Sequence, residues 1–331
     1  MVVLTSWNRM AETDRRNDVT PRSLAVTGAS GLLGSAVVRA GVQRGWITAA
    51  FFKNWPLEIR GATCRSLDIT DKQAVMQCIS TLRPELIINC AAATDVDRCE
   101  SHPDEARRVN CDGASNVAEA ASVCGAQLIQ ISTDAVFDGC SRRYGEDELT
   151  APRGVYARTK LDAEQVVASI EPGALIVRTT MFGTSPRPGH GLAEWLIGRL
   201  GDGQPIHAYS DVVFSPLLVS QLSGQLLTAA DWNLAGVYHA AAIDGVSKLE
   251  FALMIARAFG FSSGLVVPAL STESNLVVPR HGDTSLDGSR WLTALGLSGT
   301  TVQQAINQFA IEREPGGAVG VALGMPRIGG P

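Results

Sequence analysis

An α/β fold with a doubly wound parallel sheet is what this sequence predicts, and three observations carry it. Short apolar runs alternate with helix-length amphipathic stretches from residue 23 to residue 178. One run, 85–93 (ELIINCAAA), is almost continuously apolar, as strands covered on both faces are. The first run, 23–27, leads through the glycine-rich turn TGASGLLG at 27–34 into a helix.

That strand–turn–helix is the element the rest of the chain is arranged around. Gly28 permits the tight turn off the strand, Gly31 lets backbone approach a pyrophosphate, and Gly34 lets the helix pack close on the sheet. Ser30, Leu32 and Leu33 complete the loop, so free N–H groups at the helix start face the phosphates of a dinucleotide.

The next strand, 46–52, ends at Lys53-Asn54. An NAD-binding fold usually has an acid at this place for the ribose hydroxyls. Lys53, with Arg60 close behind, suits the 2′-phosphate of NADP instead. A short strand follows at 65–70, then an amphipathic helix at 71–82. Strand 85–93 ends in small Ala91, Ala92 and Ala93, which let a cofactor lie close. One long helix is expected over 104–125, with Asn110 inside it, and a strand over 127–132. A helix from Tyr156 to about 168 precedes a strand at 173–178. Beyond residue 179 come a Pro/Gly-rich loop at 183–191, helices at 192–200 and 247–259, a late strand at 236–241 and a polar loop at 279–287 before a last helix at 289–295.

Composition bounds the function. The chain has 331 residues, 45% of them hydrophobic, enough for a large core, and a net charge of −5 that argues against nucleic acid or an anionic membrane. No apolar run approaches the roughly 20 residues a bilayer span needs. Residues 1–22 lack the apolar segment of a signal peptide and read as a loose extension. Cys64, Cys78, Cys90, Cys99, Cys111, Cys124 and Cys140 form no CxxC and pair with no histidine at ligand spacing. No metal site and a reducing cytoplasm are therefore expected. The acidic run 146–148 reads as a solvated loop, and Asp95 and Asp97 as caps of a following helix or as groups facing substrate.

Tyr156 and Lys160 stand one helical turn apart. A phenol with pKa near 10 serves as an acid–base group at neutral pH when a cation favours its phenolate, and Lys160 is placed to do so. Thr133, at a strand's carboxyl end, would hydrogen-bond the reacting carbonyl or alcohol.

The segments 84–110 (PELIINCAAATDVDRCESHPDEARRVN) and 131–139 (ISTDAVFDG), with YARTK at 156–160, resemble the dTDP-4-dehydrorhamnose reductase branch of the extended short-chain dehydrogenases, a Rossmann fold. The resemblance spans about 24–297 and implies reduction of the 4-keto group of a nucleotide-linked 6-deoxysugar, with NADP(H) preferred and NAD(H) also accommodated. It implies a Thr133/Tyr156/Lys160 triad, an adenine contact from Asp68 and Ile69, and substrate contacts from Thr94, Asp95, Val96, Met181 and Arg280. It divides the chain into a Rossmann domain (23–178 plus about 206–242), a smaller C-terminal substrate lobe (179–205 plus about 243–315) and a flexible tail (316–331). A homodimer is left open.

The departures gather at the sugar pocket. Ala135 stands where the family commonly has tyrosine, Ala157 where it has glycine and Met181 where a tryptophan packs on the sugar. Its Arg-Pro-x-Asn-Ser loop here reads Arg280-His281-Gly282-Asp283-Thr284. Two other readings remain: an epimerase or dehydratase that recycles its cofactor, and a non-catalytic NADP-binding subunit like the regulatory beta subunits of methionine adenosyltransferase.

Overall fold

The computed structural model describes residues 21–187, 189–273, 278 and 282–314. Expectations for the extension up to residue 20, for the tail from 315, and for Arg280 and His281 lie outside the described residues.

Seven parallel strands make the central sheet: β1 (Ser23–Thr27), β2 (Ile47–Phe52), β3 (Ala62–Ser66), β4 (Leu86–Asn89), β5 (Gln127–Ile131), β6 (Leu175–Thr179) and β7 (Gly236–Ala240). Their spatial order is β7-β6-β5-β4-β1-β2-β3, so the direction of winding reverses between β1 and β4. Helices α1 (Leu32–Gln43), α2 (Lys72–Leu82), α3 (Val96–Ser101), α4 (Pro103–Arg107), α5 (Gly113–Cys124) and α6 (Gly154–Ile170) connect the first six strands. Then come α7 (Leu192–Gly201), α8 (Val219–Asp231), α9 (Lys248–Ala258), α10 (Ser289–Ala294) and α11 (Val302–Arg313).

Strand alternation sorts the buried side chains to two faces. Leu24, Val26 and Ile88 pack with Val37 and Val38 of α1 and Leu226 of α8. Ala25, Phe51 and Ile87 pack instead with Val75 and Ile79 of α2, Val117 of α5 and Ala163 of α6. The first core continues into the C-terminal lobe through Phe182, Phe251 and Phe309, whose rings meet edge to face at 5.1 and 5.7 Å. Truncating Phe251, fully buried at this seam, would remove about 3–5 kcal/mol.

Several elements differ from the expectation. The strand expected at 65–70 is Ala62–Ser66, because the Asp68 carboxylate accepts from the Thr70 backbone N–H at 3.0 Å and closes a turn. The strand expected to reach Ala93 ends at Asn89. The long helix expected at 104–125 is broken: α3 and α4 precede a π-turn at Arg108–Asp112, and only then does α5 begin. Pro103 starts α4 and so separates it from α3. Residues 206–209, grouped by sequence with the nucleotide-binding domain, pair in parallel with Val266–Ala269 of the C-terminal lobe. Helices α8 and α11 have no counterpart in the sequence reading.

Candidate active site

The glycine loop is a cradle shaped by backbone. Gly28 has φ +65°, and a Cβ there would lie 2.6 Å from the Ala91 nitrogen. At Gly34 a Cβ would come 2.3 Å from the Gly28 carbonyl oxygen, so α1 can sit on the turn only without a side chain. Gly31 is the N-cap of α1 and provides no side-chain cap, which leaves the first-turn N–H groups of Leu32 and Leu33 for an external acceptor. Ser30 lies beside them in the turn. This small-residue cradle fits a dinucleotide pyrophosphate.

At the ends of β2 and β3 the two residues expected to face the adenosine meet each other. Lys53 Nζ lies 2.7 Å from Asp68 Oδ2, with both side chains partly exposed. Lysine pairing and the Thr70 donors hold the Asp68 carboxyl below its usual pKa, against the opposing effect of burial. Lys53 is therefore a partnered cation. Ile69 is 5% exposed, and its side chain fills the space beside Gly113, where a Cβ would meet Ile69 Cδ1 at 2.6 Å. Its carbonyl accepts from Asn116 Nδ2 at 2.9 Å, so neither its side chain nor its carbonyl is left open for an adenine.

Asn110 explains the π-turn. The extra residue rotates its amide inward, where Oδ1 accepts from the Ala93 N–H at 2.8 Å. Its Nδ2 donates to the Ala93 carbonyl and to Thr159 Oγ1, at 3.1 and 3.0 Å. The segment 91–93 is thereby fixed to α6, the helix of Tyr156 and Lys160. Ala91, Ala92 and Ala93 are half-buried beside the glycine turn; Thr94 and Asp95 are exposed and Val96 half-buried. Asp95 caps α3 by accepting from the Arg98 N–H at 3.0 Å. From α3, Glu100 Oε2 accepts from the Val155 N–H at 2.8 Å, so a carboxylate caps the start of α6.

Thr133 Oγ1 donates to Asp134 Oδ1 at 3.1 Å and accepts from the Ala135 N–H at 3.2 Å. Thr284 Oγ1 donates to the other Asp134 oxygen at 2.9 Å, bringing the 282–287 loop onto the end of β5. Burial pushes the Asp134 carboxyl up, opposed by Lys248 and the hydroxyl donors. Thr133 also stands near enough to the Tyr156 phenol to influence its titration, as does Asp134. Desolvation pushes the Tyr156 phenol up to about 12, with Thr133 opposing and Asp134 adding to the rise.

Lys160 does not act on the phenol as expected. It is buried, its Nζ donates to the Ile131 carbonyl at 2.6 Å, and desolvation lowers it to about 8 despite the Glu164 carboxylate one turn further on. The same Ile131 carbonyl accepts from Gln130 Nε2 at 3.0 Å. Met181 lies half-buried in a short pairing with Leu217, beyond the end of β6.

Behind Lys160 lies a polar network that sequence reasoning missed. Glu164 and Arg178 form a buried bidentate pair, with Nε donating at 3.0 and 3.1 Å and Nη2 at 2.7 Å. The Ser132 hydroxyl donates to Glu164, and Arg178 Nη1 lies 3.4 Å from His239 Nε2. His239 Nδ1 lies 2.9 Å from the Tyr144 carbonyl, and burial with the Arg178 charge lowers its pKa to about 4. Glu146, expected in a solvated loop, is tucked in to accept from the His239 N–H at 3.0 Å, while Asp147 and Glu148 beside it are exposed. Nothing in the pattern of charges joins these positions, because they come from five separate segments. Among the described residues, no three His, Cys, Asp or Glu side chains cluster as metal ligands.

A family model described as the RmlD substrate binding domain matches residues 22–314. The chain belongs to that family. Among its relatives, dTDP-4-dehydrorhamnose reductase of Mycobacterium tuberculosis H37Rv is 34% identical over 277 residues, which is 82% of this chain and 86% of that one. Methionine adenosyltransferase 2 subunit beta of Bos taurus is 29% identical over 322 residues, 89% of this chain and 90% of its own. The crystal structure of dTDP-4-dehydrorhamnose reductase from Bacillus anthracis in complex with NADP superposes with a TM-score of 0.77 at 28% identity, covering 88% of this chain and 100% of that one. The RmlD-family fold thus extends from the glycine cradle through the C-terminal lobe.

Proposed function

We infer that this chain is an NADP(H)-dependent reductase of the 4-keto group of a nucleotide-activated 6-deoxysugar. The observation that carries it is the placement of Thr133 beside the Tyr156 phenol, with Lys160 one turn on, at the strand ends beside a dinucleotide cradle in an RmlD-family chain.

Gly28, Ser30, Gly31, Leu32, Leu33 and Gly34 would hold the pyrophosphate, and the 91–93 segment the nicotinamide half. When bound, the nicotinamide supplies hydride to the carbonyl carbon. Tyr156 stays protonated across the physiological range and delivers its phenolic proton to the carbonyl oxygen as charge develops there. Thr133, held by Asp134 and the Ala135 N–H, would orient the carbonyl beside that phenol. Lys160 in its cationic form offers positive charge and hydrogen bonds to the ribose. Because its pKa lies near 8, turnover should fall as pH rises through about 8, and Lys160→Met should remove that limb of the profile. A substrate of this kind, and cysteines that are all free among the described residues, suit a cytoplasmic enzyme.

Ala135 and Met181 leave a sugar pocket shaped differently from one lined by tyrosine and tryptophan. Following NADPH oxidation across a panel of nucleotide-linked 4-keto sugars tests the reading. Turnover on one of them is expected, with dTDP-4-dehydrorhamnose a poor substrate. No turnover on any, together with co-purification of a methionine adenosyltransferase, would favour the regulatory-subunit reading that the bovine relative supports.

A further inference from the structure

Between Phe182 and α7 the chain crosses the carboxyl edge of the sheet and touches two parts of the nucleotide cradle. At Gly191, just before α7, a Cβ would lie 3.7 Å from Leu32 Cδ2, at the start of α1. Midway along, the Arg187 guanidinium carbon lies 4.6 Å from the centre of the Trp55 ring. Trp55 stands two residues beyond Lys53 in the turn that ends β2. Arg187 thus stands at the adenosine end of the cradle and Gly191 at its pyrophosphate end.

Two donors on this segment are buried and unpartnered. Arg187 Nε and Thr184 Oγ1 have no hydrogen-bond partner among the described residues. A buried guanidinium N–H left unpaired is costly, so a fold that keeps one in place suits an acceptor from outside the chain. Packing over the Trp55 ring limits the freedom of the guanidinium, which lowers the entropy lost when it grips an oxyanion. Lys53, the cation expected to do this work, is already paired with Asp68.

We propose that Arg187, clasped by Trp55, grips a phosphate of the dinucleotide. The proposal rests on the reading that the chain binds NADP(H). Two phosphates share the chemistry, the pyrophosphate and the 2′-phosphate, and the two cofactors distinguish them.

The test titrates NADPH and NADH into the full chain, wild type and Arg187→Gln, by calorimetry and by quenching of tryptophan emission. Arg187→Gln should weaken NADPH about tenfold, the scale of one charge-assisted contact. Equal weakening of NADH assigns the grip to the pyrophosphate; unchanged NADH assigns it to the 2′-phosphate. The salt dependence of NADPH binding should be shallower in the variant. Trp55→Leu, a change at a half-exposed ring, should weaken the same cofactor by a few fold and serves if Arg187→Gln lowers the melting temperature. Wild-type affinity for both cofactors in both folded variants would overturn the clasp. Failure of the wild-type chain to bind either cofactor would instead overturn the NADP(H) reading on which it rests.

Discussion

The two ends of the candidate site are built from different materials. At the nucleotide end the work is done by backbone: a turn at Gly28, bare N–H groups at the start of α1, and an exposed lysine–aspartate pair beside them. At the reacting end it is done by side chains. Thr133, Tyr156 and Lys160 stand against a buried chain of Ser132, just past β5, with Glu164, Arg178 and His239 from α6, β6 and β7. The difference teaches where each end is vulnerable. Solvent screens the ion pair at the first, whereas desolvation dominates the second and makes each missing partner expensive.

Glu164→Ala is the hardest blow to that contrast. It leaves the Arg178 guanidinium buried without its carboxylate, and urea denaturation should show a loss of about 3–5 kcal/mol. Lys53→Ala, removing the corresponding partner at the exposed end, should change stability by less than about 1 kcal/mol. Equal losses would erase the distinction between the two ends.

Acid sharpens it next. His239 has its pKa lowered to about 4 from an ordinary value of 6.5, so between those values the unfolded chain binds a proton that the folded chain does not. Stability should therefore fall as pH drops from about 6.5 to 4, by at most about 3 kcal/mol. Melting temperatures across that range check it, and His239→Gln should flatten this part of the curve.

Tyr156→Phe should lower kcat by about 10²-fold, roughly 2.7 kcal/mol in the barrier, while the Kd for NADPH stays near its wild-type value. The hydroxyl belongs to the reacting end alone. A matched loss of cofactor affinity would show the two ends to be coupled.

The smallest effect lies at the end of β2. A free Lys53 would favour NADPH over NADH by about five- to thirtyfold. Its pairing with Asp68 should cut that toward the lower figure, and Lys53→Ala should then cost NADPH only a few fold. Asp68→Asn releases the lysine and should raise the preference for NADPH, more at low salt than at high. Titration of both cofactors into both variants measures this.

Local chemistry alone determined the parallel sheet, the glycine cradle and the Tyr156–Lys160 spacing. Each depends on residues close in sequence: an apolar run of strand length, three glycines at fixed intervals, two side chains one helical turn apart. The break of the expected long helix at Asn110 was not legible there. A π-turn forms only because Ala93 and Thr159, far along the chain, receive that amide. Nor did the charge pattern show that Lys53 meets Asp68, that Lys160 turns to the Ile131 carbonyl, or that Glu146 and His239 are interior. Whether a charged or polar side chain is solvated, paired or buried depends on which distant segment packs against it. Sequence supplies the groups, and only the tertiary structure fixes the dielectric and the partner that set what each can do.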